Sequence, residues 1–117
     1  MTEDGWDFEH QRAETFWTVA DLIKRGALKG GERIALDLEF VPDPEAGQPA
    51  DRDALLRKLK MFGFHATEAD PDAPDAVTVE VADVPFEAEA IWQHEETATK
   101  LALIHGYVPD GWGFWEP

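Results

Sequence analysis

The sequence predicts an α+β fold: one four-stranded antiparallel sheet, helices against one of its faces, and an extra helix at the N-terminal end. Three observations lead there. "IALDLEF" and "VTVEV" alternate apolar and polar residues, the period of strands buried on one side only. Three other segments repeat apolar residues at three- and four-residue spacing, the period of amphipathic helices. The length, 117 residues, suits one domain with one core and is too short for two.

The first helix is expected from about Trp6 to Arg25, with Phe16, Val19, Ala20 and Ile23 as its apolar stripe. Acidic residues crowd its start and Lys24 and Arg25 its end, which suits the helix dipole. Gly26, or the pair Gly30 and Gly31, ends it. In the next strand, Ile34, Leu36, Leu38 and Phe40 share one face and Arg33, Ala35, Asp37 and Glu39 the other. "PDPEAGQPA" reads as a loop. Asp51 then caps a helix whose inward face is Leu55, Leu56, Leu59 and Phe62, ended by Gly63. "FHATEA" is a short strand, "DPDAPD" a polar turn, and "AVTVEVA" a strand that turns Val77, Val79 and Val81 inward. Pro85 suits the first turn of a last helix running to about Ile104. Its inward stripe is Ala88, Ile91, Trp92, Ala98, Leu101 and Ala102, and Gly106 closes it. The aromatic segment that follows is a final strand or turn.

With the first helix set aside, the order is strand, helix, strand, strand, helix, strand. Right-handed crossovers in that order produce the ferredoxin-like βαββαβ sandwich, with the last strand on a sheet edge. The expected division is an N-terminal helix over residues 1–30 and a ferredoxin-like core over 31–117, in a single domain.

Charge narrows the function. The formal net charge is −15, and ten of the acidic residues fall between Met61 and Thr99, where there is no lysine or arginine. Such a surface repels phosphate backbones and attracts basic proteins, so direct nucleic-acid binding is not expected and a basic protein partner is. The expected acidic surface comprises Glu68, Asp70, Asp72, Asp75, Glu80, Asp83, Glu87, Glu89, Glu95 and Glu96. No apolar run is long enough to span a bilayer, so no membrane association is expected. The acidic start lacks the features of a signal peptide, and the absence of cysteine is compatible with a reducing compartment; a cytoplasmic setting is expected.

Signals for chemistry are sparse. No serine or cysteine is present to act as a nucleophile. His10, His65, His94 and His105 follow no metal-binding spacing, and no phosphate-cradling glycine loop occurs. Asp37 and Glu39, two apart on a strand, could hold divalent ions as in a metal-dependent nuclease, but later acids at a matching spacing and a basic groove are missing. The expectation is a protein that is not an enzyme and takes no cofactor or metal.

The most distinctive stretch is "HGYVPDGWGFWEP". Gly111 and Gly113 flank Trp112, which lets the backbone take positive φ and lets another surface approach. Trp112 is the expected aromatic anchor and Asp110 the group that sets the turn. A small-ligand sensor in which Trp112 and Tyr107 floor a pocket is the alternative. "LALIHGYVPDGWGFWEP" resembles the C-terminal signature of the RraB family, regulators of ribonuclease E activity, with Asp110, Gly111, Trp112 and Gly113 on its Asp-Gly-Trp-Gly block. "AETFWTVADLIKRGA" is similar to that family's first helix, and the order of the later elements is also similar. Pro109 stands where the family usually has tyrosine, and the acidic extension of some members is not expected after Pro117. The resemblance implies a ferredoxin-like, non-enzymatic inhibitor that binds the scaffold region of ribonuclease E and lowers RNA turnover. Tyr107, Asp110, Gly111, Trp112, Gly113 and Trp115 would form its partner-binding site.

Overall fold

The computed structural model describes residues 6–47, 49–67 and 71–115, with Trp115 described by its backbone alone. In chain order the elements are α1 (Phe8–Lys24), β1 (Arg33–Pro42), α2 (Arg52–Met61), β2 (His65–Ala66), β3 (Val77–Pro85), α3 (Ala88–Ile104) and β4 (Tyr107–Trp115). The four strands make one antiparallel sheet in the order β2-β3-β1-β4. Two antiparallel steps separate β1 from β2, so these two run in the same direction with β3 between them. The aromatic segment is an edge strand beside β1, as its position in the chain led us to expect.

One face of the sheet is closed. Leu36 and Leu38 of β1 stand opposite Val81 and Val79 of β3 on one side, and Phe114 and Trp112 of β4 on the other. Over them pack Leu55 and Leu59 of α2 with Ile91, Ala98 and Ala102 of α3, all at 0% exposure. Each large aliphatic or aromatic side chain buried this way stabilises the fold by roughly 1.5–3 kcal/mol. The strand alternation is thus the dominant signal in the chain. Val81, though partly buried, packs against the same core.

Capping follows the sequence in two helices. Asp7 accepts from the His10 amide at 2.9 Å and Asp51 from the Ala54 amide at 3.1 Å, satisfying donors that the first turn leaves unpaired. At the far end of α3 the chain must turn back within two residues. Gly106 does this at φ +80°, and a Cβ there would stand 2.9 Å from Ala50 Cα, so glycine is required by space as well as by conformation. Its carbonyl accepts from the Asp43 amide, and the His105 carbonyl from the Asp51 amide. These bonds tie the ends of β1 and α3 to the start of α2.

Several expectations need correction. Pro85 does not open the last helix; it ends β3 opposite Arg33, and α3 begins at Ala88. The residues Ala82 and Asp83 bulge where the β1–β3 register shifts, Asp83 adopts φ +57°, and its carboxylate clasps Arg33 at 2.9 and 3.3 Å. Phe62 lies outside, 57% exposed, because α2 has unwound by that point. The largest correction concerns α1. Its buried residues are Gln11, Thr15 and Val19, whereas Ala20 and Ile23 face solvent. The helix is rotated by roughly one residue from the apolar stripe, because α3 meets it with polar groups.

Candidate functional site

Where α1 crosses α3, four polar side chains are buried: Gln11 and Thr15 from α1, Glu95 and Thr99 from α3. Each pair is spaced i, i+4, which stacks both members on one helix face. Thr15 donates its hydroxyl to Glu95 Oε1 at 2.5 Å. The Gln11 side-chain amide donates to Glu95 Oε2 at 3.2 Å and to Thr99 Oγ1 at 3.1 Å. Two indoles complete the network from outside. Trp6 Nε1 donates to Gln11 Oε1 at 2.9 Å, and Trp112 Nε1 to Thr15 Oγ1 at 3.3 Å.

The network opens into a cleft of about 590 Å³ between α1 and β4. Trp6, Asp7, Glu14, Thr15, Glu95 and Trp112 are among its lining residues, and among the described residues no lysine or arginine lines it. Glu95 is 6% exposed, and among the described residues no cation lies within ion-pair distance of it. Desolvating a carboxylate costs several kcal/mol, while each hydrogen bond to a charged group returns about 1.5–3 kcal/mol. Burial is the larger effect here: it pushes the Glu95 pKa up against the opposing hydrogen bonds from Thr15 and Gln11, and Glu14 pushes it the same way. Glu95 is therefore not part of an acidic surface, contrary to the sequence expectation.

The expected binding residues do not share one environment. Tyr107 is 1% exposed and its hydroxyl donates to the Asp75 carbonyl at 2.7 Å, so it is a core residue and offers no contact surface. Burial raises its phenol pKa. Trp112 is half-buried; it packs on the core, lies 6.5 Å from the Phe114 ring and lines the cleft. Asp110 is exposed and falls in the register shift between Gly111, opposite Glu39, and Pro109, opposite Phe40. Of the two glycines only Gly111, at φ +120°, needs its conformational freedom. Gly113 contributes open space instead, since a Cβ there would meet nothing within 4 Å. Trp115 pairs with Ala35 through its backbone, and its side chain lies outside the described residues.

The acidic series is spread over several elements. Glu68 and Asp70 lie outside the described residues. Asp72 and Asp75 sit in the loop before β3, and Glu87 immediately precedes α3. Asp83, Glu89 and Glu96 are paired with Arg33, Arg12 and Lys100. What the fold does gather is one residue of that series, Glu80, with two acids outside it, Asp37 and Glu39. On the open face of the sheet, Asp37 stands opposite Glu80 of β3 and Gly113 of β4, and Glu39 stands opposite Thr78 and Gly111. His65 of β2 pairs with Glu80 and extends the row. The only lysine or arginine within the four strands is Arg33, held at one end by Asp83.

No family model matches this chain, and no curated protein matches it significantly.

Among the described residues no three histidine, aspartate or glutamate side chains are grouped so as to hold a metal ion. Asp37 and Glu39 lie two apart on the open face of the sheet, and among the described residues they belong to no such group. Among the described residues, too, no helix is long and apolar enough to cross a membrane. Sequence reasoning gave Trp6, Gln11, Thr15 and Thr99 no role in a site. A signal for the site was present at Glu95, which continues the stripe Ile91, Ala98, Ala102 at helical spacing and is the one charged residue in it.

Proposed function

We propose that the protein is a non-enzymatic regulator that binds a basic protein segment on the open face of its sheet. The observation that carries this reading is the row Asp37, Glu39 and Glu80 beside two glycines of β4. The carboxylates supply negative potential, and Gly111 and Gly113 leave the β4 backbone bare, so a chain rich in lysine or arginine can approach closely. The overall charge of −15 favours its capture over long range.

The order β2-β3-β1-β4, with β1 and β2 in the same direction around β3, supports reading the fold as ferredoxin-like. Together with the Asp-Gly-Trp-Gly block at residues 110–113 it supports an RraB-like protein whose basic partner is the arginine-rich scaffold region of ribonuclease E, bound in the cytoplasm to lower RNA turnover. The test is fluorescence anisotropy of a labelled scaffold segment titrated with this protein between about 0.05 and 0.3 M salt, a range over which screening shortens to well under 10 Å. Affinity should fall steeply across it. Replacing Asp37, Glu39 and Glu80 by Asn, Gln and Gln should weaken binding at low salt by about tenfold or more. Binding that ignores both salt and this triple change would reject the reading.

A further inference from the structure

The cleft between α1 and β4 has a chemistry that the sheet face does not explain. A buried carboxylate, Glu95, forms part of its lining and has no cation in ion-pair distance among the described residues. A carboxylate offers about four lone-pair positions, two on each oxygen. Thr15 uses one on Oε1 and Gln11 one on Oε2, which leaves an acceptor position on each oxygen. The indoles of Trp6 and Trp112 line the same cleft, each anchored to α1 through its N–H. Asp7 and Glu14 add further negative charge, and His10 is engaged by Glu14 at 3.4 Å.

Such a constellation selects for one kind of ligand. An anion would meet three carboxylates, and a neutral apolar molecule would leave the buried charge as it is. A cation supplies the missing counter-charge. Of the common organic cations, guanidinium is planar, is weakly hydrated, stacks on indole faces and presents two parallel N–H groups to two carboxylate oxygens. We propose that this cleft binds an alkylguanidinium group, its fork on Glu95 and its alkyl stem against Trp6 and Trp112. The group comes either from an arginine side chain of the basic partner, in which case the inference rests on the reading above, or from a free small molecule.

The test is NMR titration of the full chain with n-butylguanidinium, following the indole N–H resonances of Trp6 and Trp112. Both should shift and saturate with a Kd on the order of 1 mM, as befits so small a ligand. Glu95→Gln should weaken binding at least tenfold. The neutral isostere n-butylurea should leave the indoles unmoved in the unmodified protein, a comparison that decides the matter even where Glu95→Gln fails to fold. Equal binding of n-butylurea, no shift with n-butylguanidinium, or unchanged affinity in a folded Glu95→Gln protein would each overturn the proposal. An arginine-rich peptide separates the two sources. If it shifts the same two indoles, the ligand is an arginine of the partner. If it perturbs only the sheet face while n-butylguanidinium fills the cleft, the ligand is a free cation and the docking reading stands. If it binds nowhere while n-butylguanidinium still binds, the cleft assignment survives and the docking reading fails.

Discussion

Helix α3 faces two environments. Toward the sheet and α2 it presents Ile91, Ala98 and Ala102, all completely buried among aliphatic neighbours. Toward α1 it presents Glu95 and Thr99, equally hidden from solvent but joined to α1 by hydrogen bonds. The first contact is non-directional: its strength depends on area removed from water and tolerates small shifts of position. The second depends on angles and distances, and a misplaced helix would leave a buried charge without its donors. The apolar side holds α3 to the sheet, and the polar side fixes where α1 sits on it. The polar side is the weaker contribution to stability and the stronger one to position.

The most damaging way to probe this contrast is on the apolar side. Phe40→Ala removes a ring that is 1% exposed at the centre of the core and should destabilise the protein by about 3–5 kcal/mol in urea unfolding. A loss below 1 kcal/mol would mean that β1 is not the core strand described above. On the polar side, Thr15→Val keeps the shape but removes the hydroxyl that serves both Glu95 and Trp112. Its expected cost is about 1–3 kcal/mol, the penalty for leaving a buried acceptor short of a donor. A neutral or stabilising Thr15→Val would show that the bond contributes nothing net.

A subtler experiment uses pH. Burial raises the Glu95 pKa in the folded protein, with Glu14 adding to the effect, while the unfolded chain keeps an ordinary glutamate. The folded state then holds the proton more tightly. The resulting stabilisation is complete below about pH 4, the unfolded range, and is lost as pH rises through the raised folded value. Asp7, which caps α1, and His10 and Glu14 within it share the cleft with Glu95, so the effect is read as a difference against Glu95→Gln in which they are unchanged. In thermal melts from about pH 4 to pH 8, the unmodified protein should lose stability relative to Glu95→Gln as pH increases. A constant gap between the two proteins across that range would contradict a buried, proton-retaining carboxyl. The smallest effect is expected on the open face, where Glu39→Gln should change stability by no more than about 0.5 kcal/mol while still weakening capture of a basic segment.

The legibility of the fold followed from the kind of force involved. "IALDLEF" and "VTVEV" could be read directly because alternation records which side of a strand meets water, and each residue carries that record by itself. Asp51 as a cap was legible for the same reason: the bond spans three residues. The orientation of α1 was not. Its apolar residues Ala20 and Ile23 pointed to one face, and the face that is buried carries Gln11 and Thr15 because their partners lie 80 to 88 positions away. Tyr107 and Trp112 looked alike in sequence, yet one is sealed in the core and the other is half-exposed at a cleft.

By itself the sequence determined most of the elements, the closed face of the sheet and the acidic excess, which are set by local periodicity or by composition. It also determined the edge position of the aromatic strand, which follows from the order of the elements and right-handed crossovers. Only the tertiary structure decided that Glu95 is buried, that it meets Thr15 and Gln11, and that Asp37, Glu39 and Glu80 form one row while other acids are spread over several elements or ion-paired. Those outcomes depend on contacts between residues far apart in the chain, and the energy of such a contact is not written in either residue until packing brings the two together.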